Sequence, residues 1–190
     1  MTMRILIAGF AAIVAIPVGA QETYVLDPVH SQPGFEARHI GFSMQFGGFG
    51  KVRGKVTLDR AAKTGTVDIT IDAASIRTFD ARLDAIVKGE RFFNVEQFPT
   101  VTYRSTSVKF DGDRVISVDG ELTMVGVTKP VNLTVANFSC GENPFNKRPM
   151  CGCDATAKIK RSEWGMLAGI PTMSPADEVT LRIPVEAYKE

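Results

Sequence analysis

Apolar side chains recur at every second position through most of the chain. Val52, Gly54, Val56 and Leu58 share one face, and so do Val67, Ile69 and Ile71. The same alternation runs through Thr100 to Val108, Val115 to Met124, Val131 to Phe138, Ala155 to Arg161, and Val179-x-Leu181-x-Ile183-x-Val185. A period of two sends successive side chains to opposite faces of an extended strand. Turn signals separate the runs: Asp59-Arg60 through Gly65, Asp111-Gly112-Asp113, Gly126 to Pro130, and Asn143-Pro144. Eight or nine strands with short connections predict an all-β sandwich or closed barrel. One segment keeps a helical period instead. Between Thr78 and Gly89, Leu83, Ile86 and Val87 predict a short helix, with Thr78 or Asp80 as cap and Gly89 as stop. Glu90 to Phe98 predicts a second, aromatic helical turn closed by Pro99.

The stretch from Tyr24 to Leu58 holds both histidines, His30 and His39, together with Gly41, Gly47, Gly48, Gly50 and Gly54. Glycine weakens a strand unless the sheet must bend or another group must come close to the backbone. The pattern predicts a strongly curved antiparallel sheet, with a glycine- and phenylalanine-rich turn from Gly41 to Gly50. Its opening hairpin is placed to line something.

Residues 1–20 do not share this pattern. A single charge, Arg4, precedes an apolar run from Ile5 to Ile16 and the small-residue end Pro17-Val18-Gly19-Ala20. That is the form of a secretory signal peptide, with residues 21–190 as one mature domain. Removing Arg4 takes the 22 basic residues to 21, against 21 acidic ones. A balanced charge argues against nucleic acid as partner, because neutralising phosphates needs a basic excess. Export to an oxidising compartment predicts one disulfide among Cys140, Cys151 and Cys153, pairing Cys140 with either of the other two. A metal site from the same cysteines lacks a nearby histidine.

Candidate chemistry is sparse. His30 beside Ser31 suggests a nucleophile and base, but neighbours on an extended chain point to opposite faces. Ser31 is followed by Gln32-Pro33, so there is no nucleophile elbow. His39 shares parity with Phe35 and Ala37 and is expected to face inward. Two histidines nine residues apart, without placed carboxylates, are a weak metal signal, and no metal is expected. Arg161 falls on the apolar face of its run, where a guanidinium needs an anionic or carbonyl partner. A protein carboxylate is the first expectation for that partner, and the polar head of a ligand the second.

These motifs together resemble the YceI family. The resemblance rests on Tyr24-x-x-Asp27-x-x-His30-Ser31, Phe35-x-x-x-His39, the Gly41 to Gly54 segment and Ser75-Ile-Arg-Thr78. It continues through Phe92-Phe93 with Phe98-Pro99, Val118-Asp-Gly-Glu-Leu122, Gly126-Val-Thr-Lys-Pro130 and Lys160-Arg-Ser-Glu-Trp-Gly-Met166. What it implies is an extended, lipocalin-like antiparallel β-barrel of about eight strands with one or two short helices, periplasmic or secreted. It further implies a binding protein rather than an enzyme, holding a polyisoprenoid, quinone or similar long amphiphile in a hydrophobic tunnel. The chain departs from the family pattern at Ala85-Ile86, where a histidine is common, and at Arg91 and Asn94, where aspartates flank the paired phenylalanines. Trp164 stands where phenylalanine is usual. Fewer acidic groups near a tunnel mouth would tolerate a more anionic head.

Inward candidates are therefore Phe35, His39, Phe42, Phe92, Phe93, Arg161 and Trp164, with His30, Ser31 and Arg77 as contacts for a polar head. Burial is worth roughly 0.8 kcal/mol per methylene, so about forty carbons would total roughly 30 kcal/mol. That exceeds the non-covalent ceiling near 20 kcal/mol, so lost tail freedom must offset much of it. Transient membrane contact and a homodimer are further expectations. Two other readings remain open at this level: an enzyme acting on a bound lipid through His30 or His39, and a structural barrel with a filled core.

Overall fold

The computed structural model describes residues 21–170 and 176–190, so the expected leader lies outside the described residues. Among the described residues, eleven strands form one antiparallel sheet. They are β1 Glu22–Leu26, β2 Gly34–His39, β3 Ser43–Phe49, β4 Val52–Asp59, β5 Thr64–Asp72 and β6 Ile76–Arg77, then β7 Thr100–Asp111, β8 Arg114–Met124, β9 Val127–Glu142, β10 Pro149–Lys160 and β11 Glu178–Lys189. The first six are halves of three interrupted staves. β1 pairs with β4 while β2 pairs with β3, and β4 pairs with β5 while β3 pairs with β6. Closure comes at β11, whose start pairs with β2 (Val179 opposite Ala37) and whose end pairs with β1 (Lys189 opposite Tyr24). Three interrupted and five continuous staves make a closed eight-stranded barrel, the lipocalin-like fold that the resemblance implied.

The interruptions lie side by side. The Phe49 N–H donates to the Pro33 carbonyl at 2.8 Å, and the Gly50 N–H to the Ser75 carbonyl at 3.2 Å. Pro28 and Pro33 lack the N–H a ladder needs, which breaks the first stave. Two buried serines supply the missing partners. The Ser31 hydroxyl donates to the Glu186 carbonyl at 2.8 Å and accepts from the Glu186 N–H at 2.9 Å. The Ser75 hydroxyl accepts from the Lys51 N–H at 3.1 Å and donates to the Asp72 carbonyl at 2.6 Å.

One expectation for this region needs correction. The segment from Gly41 to Gly50 is mostly a strand, β3, and the turn is confined to Ile40-Gly41, both at positive φ. Glycine at position 47 serves close approach: a Cβ there would lie 2.3 Å from the Phe35 ring. Glu90 to Phe98 forms successive turns, with the Phe98 N–H and Gln97 N–H bonding back to Asn94 as in the helical turn expected there. The one α-helix among the described residues, α1 Ala81–Lys88, falls where predicted. The Asp80 carboxylate caps it by accepting from the Arg82 N–H, and Gly89 closes it.

At the other end of the barrel the first and last described strands meet. Glu22 accepts from Lys189 Nζ at 2.6 Å, from Arg60 at 3.1 Å and from the Tyr24 hydroxyl at 2.7 Å. Cys140 and Cys151 face each other across β9 and β10 and form the disulfide, which leaves Cys153 as a free thiol.

Candidate ligand cavity

The inward faces of the staves do not fill the barrel. They enclose a cavity of about 690 Å³. Its wall is built from alternate residues of the long strands, among them Tyr103, Val118, Leu122, Leu133 and Ile159. Tyr103 places a polar group in the wall, and its hydroxyl lies 3.0 Å from the carbonyls of Val118 and Val131. Burial pushes that phenol well above its ordinary range. Tyr24 is likewise pushed up to about 12 by burial and by its bond to Glu22. Cys153 also faces the cavity, and burial raises its thiol to about 11, so it is an uncharged wall residue at neutral pH.

The cavity opens at the end that carries α1. There the lining residues become solvent-exposed: His39, Gln45 and Phe46 from the β2–β3 hairpin, and Phe79, Leu83 and Arg91 from the segment around α1. Among the described residues, the ionisable side chains His39, Asp80, Arg91 and Arg161 line the open part of the cavity. Two of them are committed. Asp80 holds Arg82 through two bonds (2.8 and 3.0 Å) and is lowered to about 2 by it. Arg161 donates to the carbonyls of Met166 at 2.5 Å, Ala168 at 2.7 Å and Ala176 at 3.0 Å, and stacks over Phe92 at 5.7 Å. His39 and Arg91 make no ion pair among the described residues.

Arg161 is buried, as its position on the apolar face implied, but its setting differs from expectation. β10 ends at Lys160, and Arg161 opens a 3₁₀ turn, Arg161–Trp164. Its guanidinium therefore ties down backbone carbonyls of the β10–β11 connection, and Asp177 bonds to the Ser162 hydroxyl and N–H at 2.9 Å instead. Burial lowers the Arg161 pKa.

Of the other candidates, Phe35, Phe92 and Phe93 line the cavity. Phe93 meets Phe49 edge-on at 5.5 Å, which links the turn segment to β3. Phe42 is not inward: the turn at Ile40-Gly41 carries it past the rim, where it is 86% exposed. Trp164 is buried beside the cavity rather than on its wall, with its indole N–H donating to the Leu122 carbonyl at 3.2 Å. Arg77 is exposed outside the lining. Ser31 borders the cavity, but its hydroxyl is occupied by Glu186.

His30 lies outside the wall. Its Nδ1 is 2.7 Å from Asp27 and 3.9 Å from Glu186, and the bond to Asp27 raises its pKa while lowering that of Asp27. The three donor atoms lie within 4.8 Å of one another, a spacing that a cation could bridge. His30 and His39 therefore sit at separate places, and neither faces the Ser31 hydroxyl as a base would.

Phe79 escaped the reading of the sequence, though a signal was present. The residue before a helix cap usually packs on the fourth residue of the helix. Here that residue is Asp84, whose carboxylate is taken by Thr78, so Phe79 has no apolar partner on its own helix.

A closed antiparallel barrel with an apolar cavity open at one end defines a lipocalin-like binding protein. The chain matches the family model described as a YceI-like domain over residues 24–187 and belongs to the YceI family. Protein YceI of Salmonella arizonae is 33% identical over 162 residues, covering 85% of this chain and 83% of that protein. Among solved structures, BcnA of Burkholderia cenocepacia superposes with a TM-score of 0.71 at 27% identity, covering 85% of this chain and 99% of its own. A polyisoprenoid binding domain from Saccharophagus degradans, implicated in plant cell wall breakdown, shares the fold with a TM-score of 0.64 at 16% identity, covering 88% and 98%.

Proposed function

We propose that this chain is an exported, non-catalytic carrier that holds the tail of a polyisoprenoid or similar long amphiphile inside its barrel. The observation that carries this reading is the apolar cavity of about 690 Å³ with one mouth. The binding named for the Saccharophagus domain supports the ligand class, and the leader-like first twenty residues support a periplasmic or secreted site of action.

A cavity of about 690 Å³ lies within the range of small-molecule sites, roughly 300–1,000 Å³, which suits an apolar tail. Each buried methylene contributes roughly 0.8 kcal/mol, so about two dozen carbons already approach the non-covalent ceiling near 20 kcal/mol. Selectivity for the head then falls to the uncommitted groups at the rim, Arg91 and His39, which favour an anionic or hydrogen-bond-accepting head.

The test is organic extraction of the purified protein followed by mass spectrometry, with uptake of geranylgeraniol by the stripped protein as its companion. A co-purifying long-chain lipid and stoichiometric uptake are expected. A protein that yields no lipid and takes up none would refute the carrier reading.

A further inference from the structure

Large apolar side chains that face solvent are not scattered evenly over this molecule. Of the twelve exposed among the described residues, eight belong to the segments that carry the cavity mouth, and four of these line it. The β2–β3 hairpin contributes Ile40, Phe42, Met44 and Phe46, and the opposite rim contributes Phe79, Leu83 and Ile86, with Leu167 from the β10–β11 connection. Phe42 and Phe79 are 86% and 93% exposed. Phe46, Phe79, Leu83 and Ile86 also line the cavity, so the outer apolar surface runs without a break into the inner one. Contiguous exposed apolar surface of this kind marks a contact site.

The charges around the collar indicate what it contacts. Between Glu36 and Asp59 the chain has no carboxylate, so the hairpin tip carries only the cationic Arg38 and the titratable His39. Around α1, Asp80 is paired with Arg82, while Asp84 accepts from Thr78 and is lowered further by the charges of Lys88 and Arg77. From Arg77 to Arg91 four basic residues stand against three acidic ones, and Arg91 makes no ion pair among the described residues. An apolar patch with a modest cationic excess on both rims matches the interface of an anionic bilayer, where aromatic rings enter the acyl boundary and cations meet headgroups.

We propose that the mouth docks on the surface of a bilayer containing anionic lipid, with Phe42 and Phe79 as the two anchors on opposite sides of the opening. Docked this way, the cavity mouth faces the acyl region, and a tail passes between bilayer and barrel without crossing water. The proposal rests on the carrier reading for its purpose but not for its test.

Flotation with phosphatidylcholine vesicles, with and without phosphatidylglycerol, tests it, using wild type, Phe42→Ser and the Phe42→Ser/Phe79→Ser double variant. Uptake of N-phenyl-1-naphthylamine from solution reports the cavity independently. Wild type is expected to float with the anionic vesicles and less with the neutral ones. Phe42→Ser is expected to lose several-fold in partitioning while keeping dye uptake, because Phe42 projects into solvent outside the cavity lining. The double variant, read by flotation alone because Phe79 also lines the cavity, is expected to lose about tenfold or more. Equal flotation of variant and wild type, or wild type that ignores both vesicles, overturns the docking. A wild-type dimer that Phe42→Ser dissociates would overturn it in favour of a second copy as occupant. Vesicle binding without dye uptake would leave the docking standing and remove the carrier reading instead.

Discussion

The hydroxyl of Ser31 takes the place of a missing strand partner for Glu186, donating to its carbonyl at 2.8 Å and accepting from its N–H at 2.9 Å. Ser31 is 1% exposed, and both bonds lie in a part-buried setting. Ser31→Ala is therefore expected to cost about 1–2 kcal/mol, the penalty for leaving partly buried backbone groups unpaired. Urea denaturation would show it as a lowered midpoint at unchanged slope. A variant as stable as wild type would mean that the backbone re-pairs across the break.

Arg161 organises the rim from beneath, through three carbonyls on the connection to β11. Lysine keeps the charge but has one nitrogen, which does not span Met166, Ala168 and Ala176. Arg161→Lys is expected to lose about 3 kcal/mol and to open the connection near Leu167 to limited proteolysis, well before the barrel strands are cut. An unchanged cleavage pattern would argue against this role.

The cysteines separate into a staple and a wall residue. Replacing both Cys140 and Cys151 by Ser is expected to cost about 2–3 kcal/mol, given their sequence separation of 11. Cys153, with a thiol raised to about 11, is expected to alkylate slowly at pH 8 and faster at each step up to about 11, whereas an exposed thiol levels off near its ordinary value of 9.0. A lipid in the cavity should slow the reaction further, which gives an uptake assay free of any probe.

Glu22 links β1 to β11, and its bonds to Lys189, Tyr24 and Arg60 lower it from 4.5 to about 2. A carboxylate depressed in the fold stabilises above its unfolded pKa, and the contribution fades as pH falls through the folded value. Partial exposure screens the pair, so the effect is about 1 kcal/mol. Wild type is expected to lose more stability between pH 5 and pH 2 than Glu22→Gln does. Parallel curves for the two proteins would show that the seam contributes no pH dependence.

The strands were legible because alternation depends only on which face meets the interior, and Val52, Val67, Val115 and Val179 declared it. The helix was legible through Asp80 and Gly89. What the sequence could not show is whether the inward residues touch one another, since Val118 and Leu133 read the same in a filled barrel and in a hollow one. Arg161 was read as inward from parity and is buried in the cavity lining, but its partners are carbonyls of the β10–β11 connection rather than a carboxylate, which parity does not reveal. Phe42 was misplaced because alternation carries no information past a turn. The serines at the breaks were invisible because their partners lie far along the chain, 155 residues away for Ser31 and Glu186.

Three neighbouring staves are cut at one level, while β7 to β10 run uninterrupted and β9 and β10 are cross-linked on that side. A pipe notched on one flank and splinted on the other is weakest at the notch, so amide exchange is expected to be faster along that line than in the splinted flank.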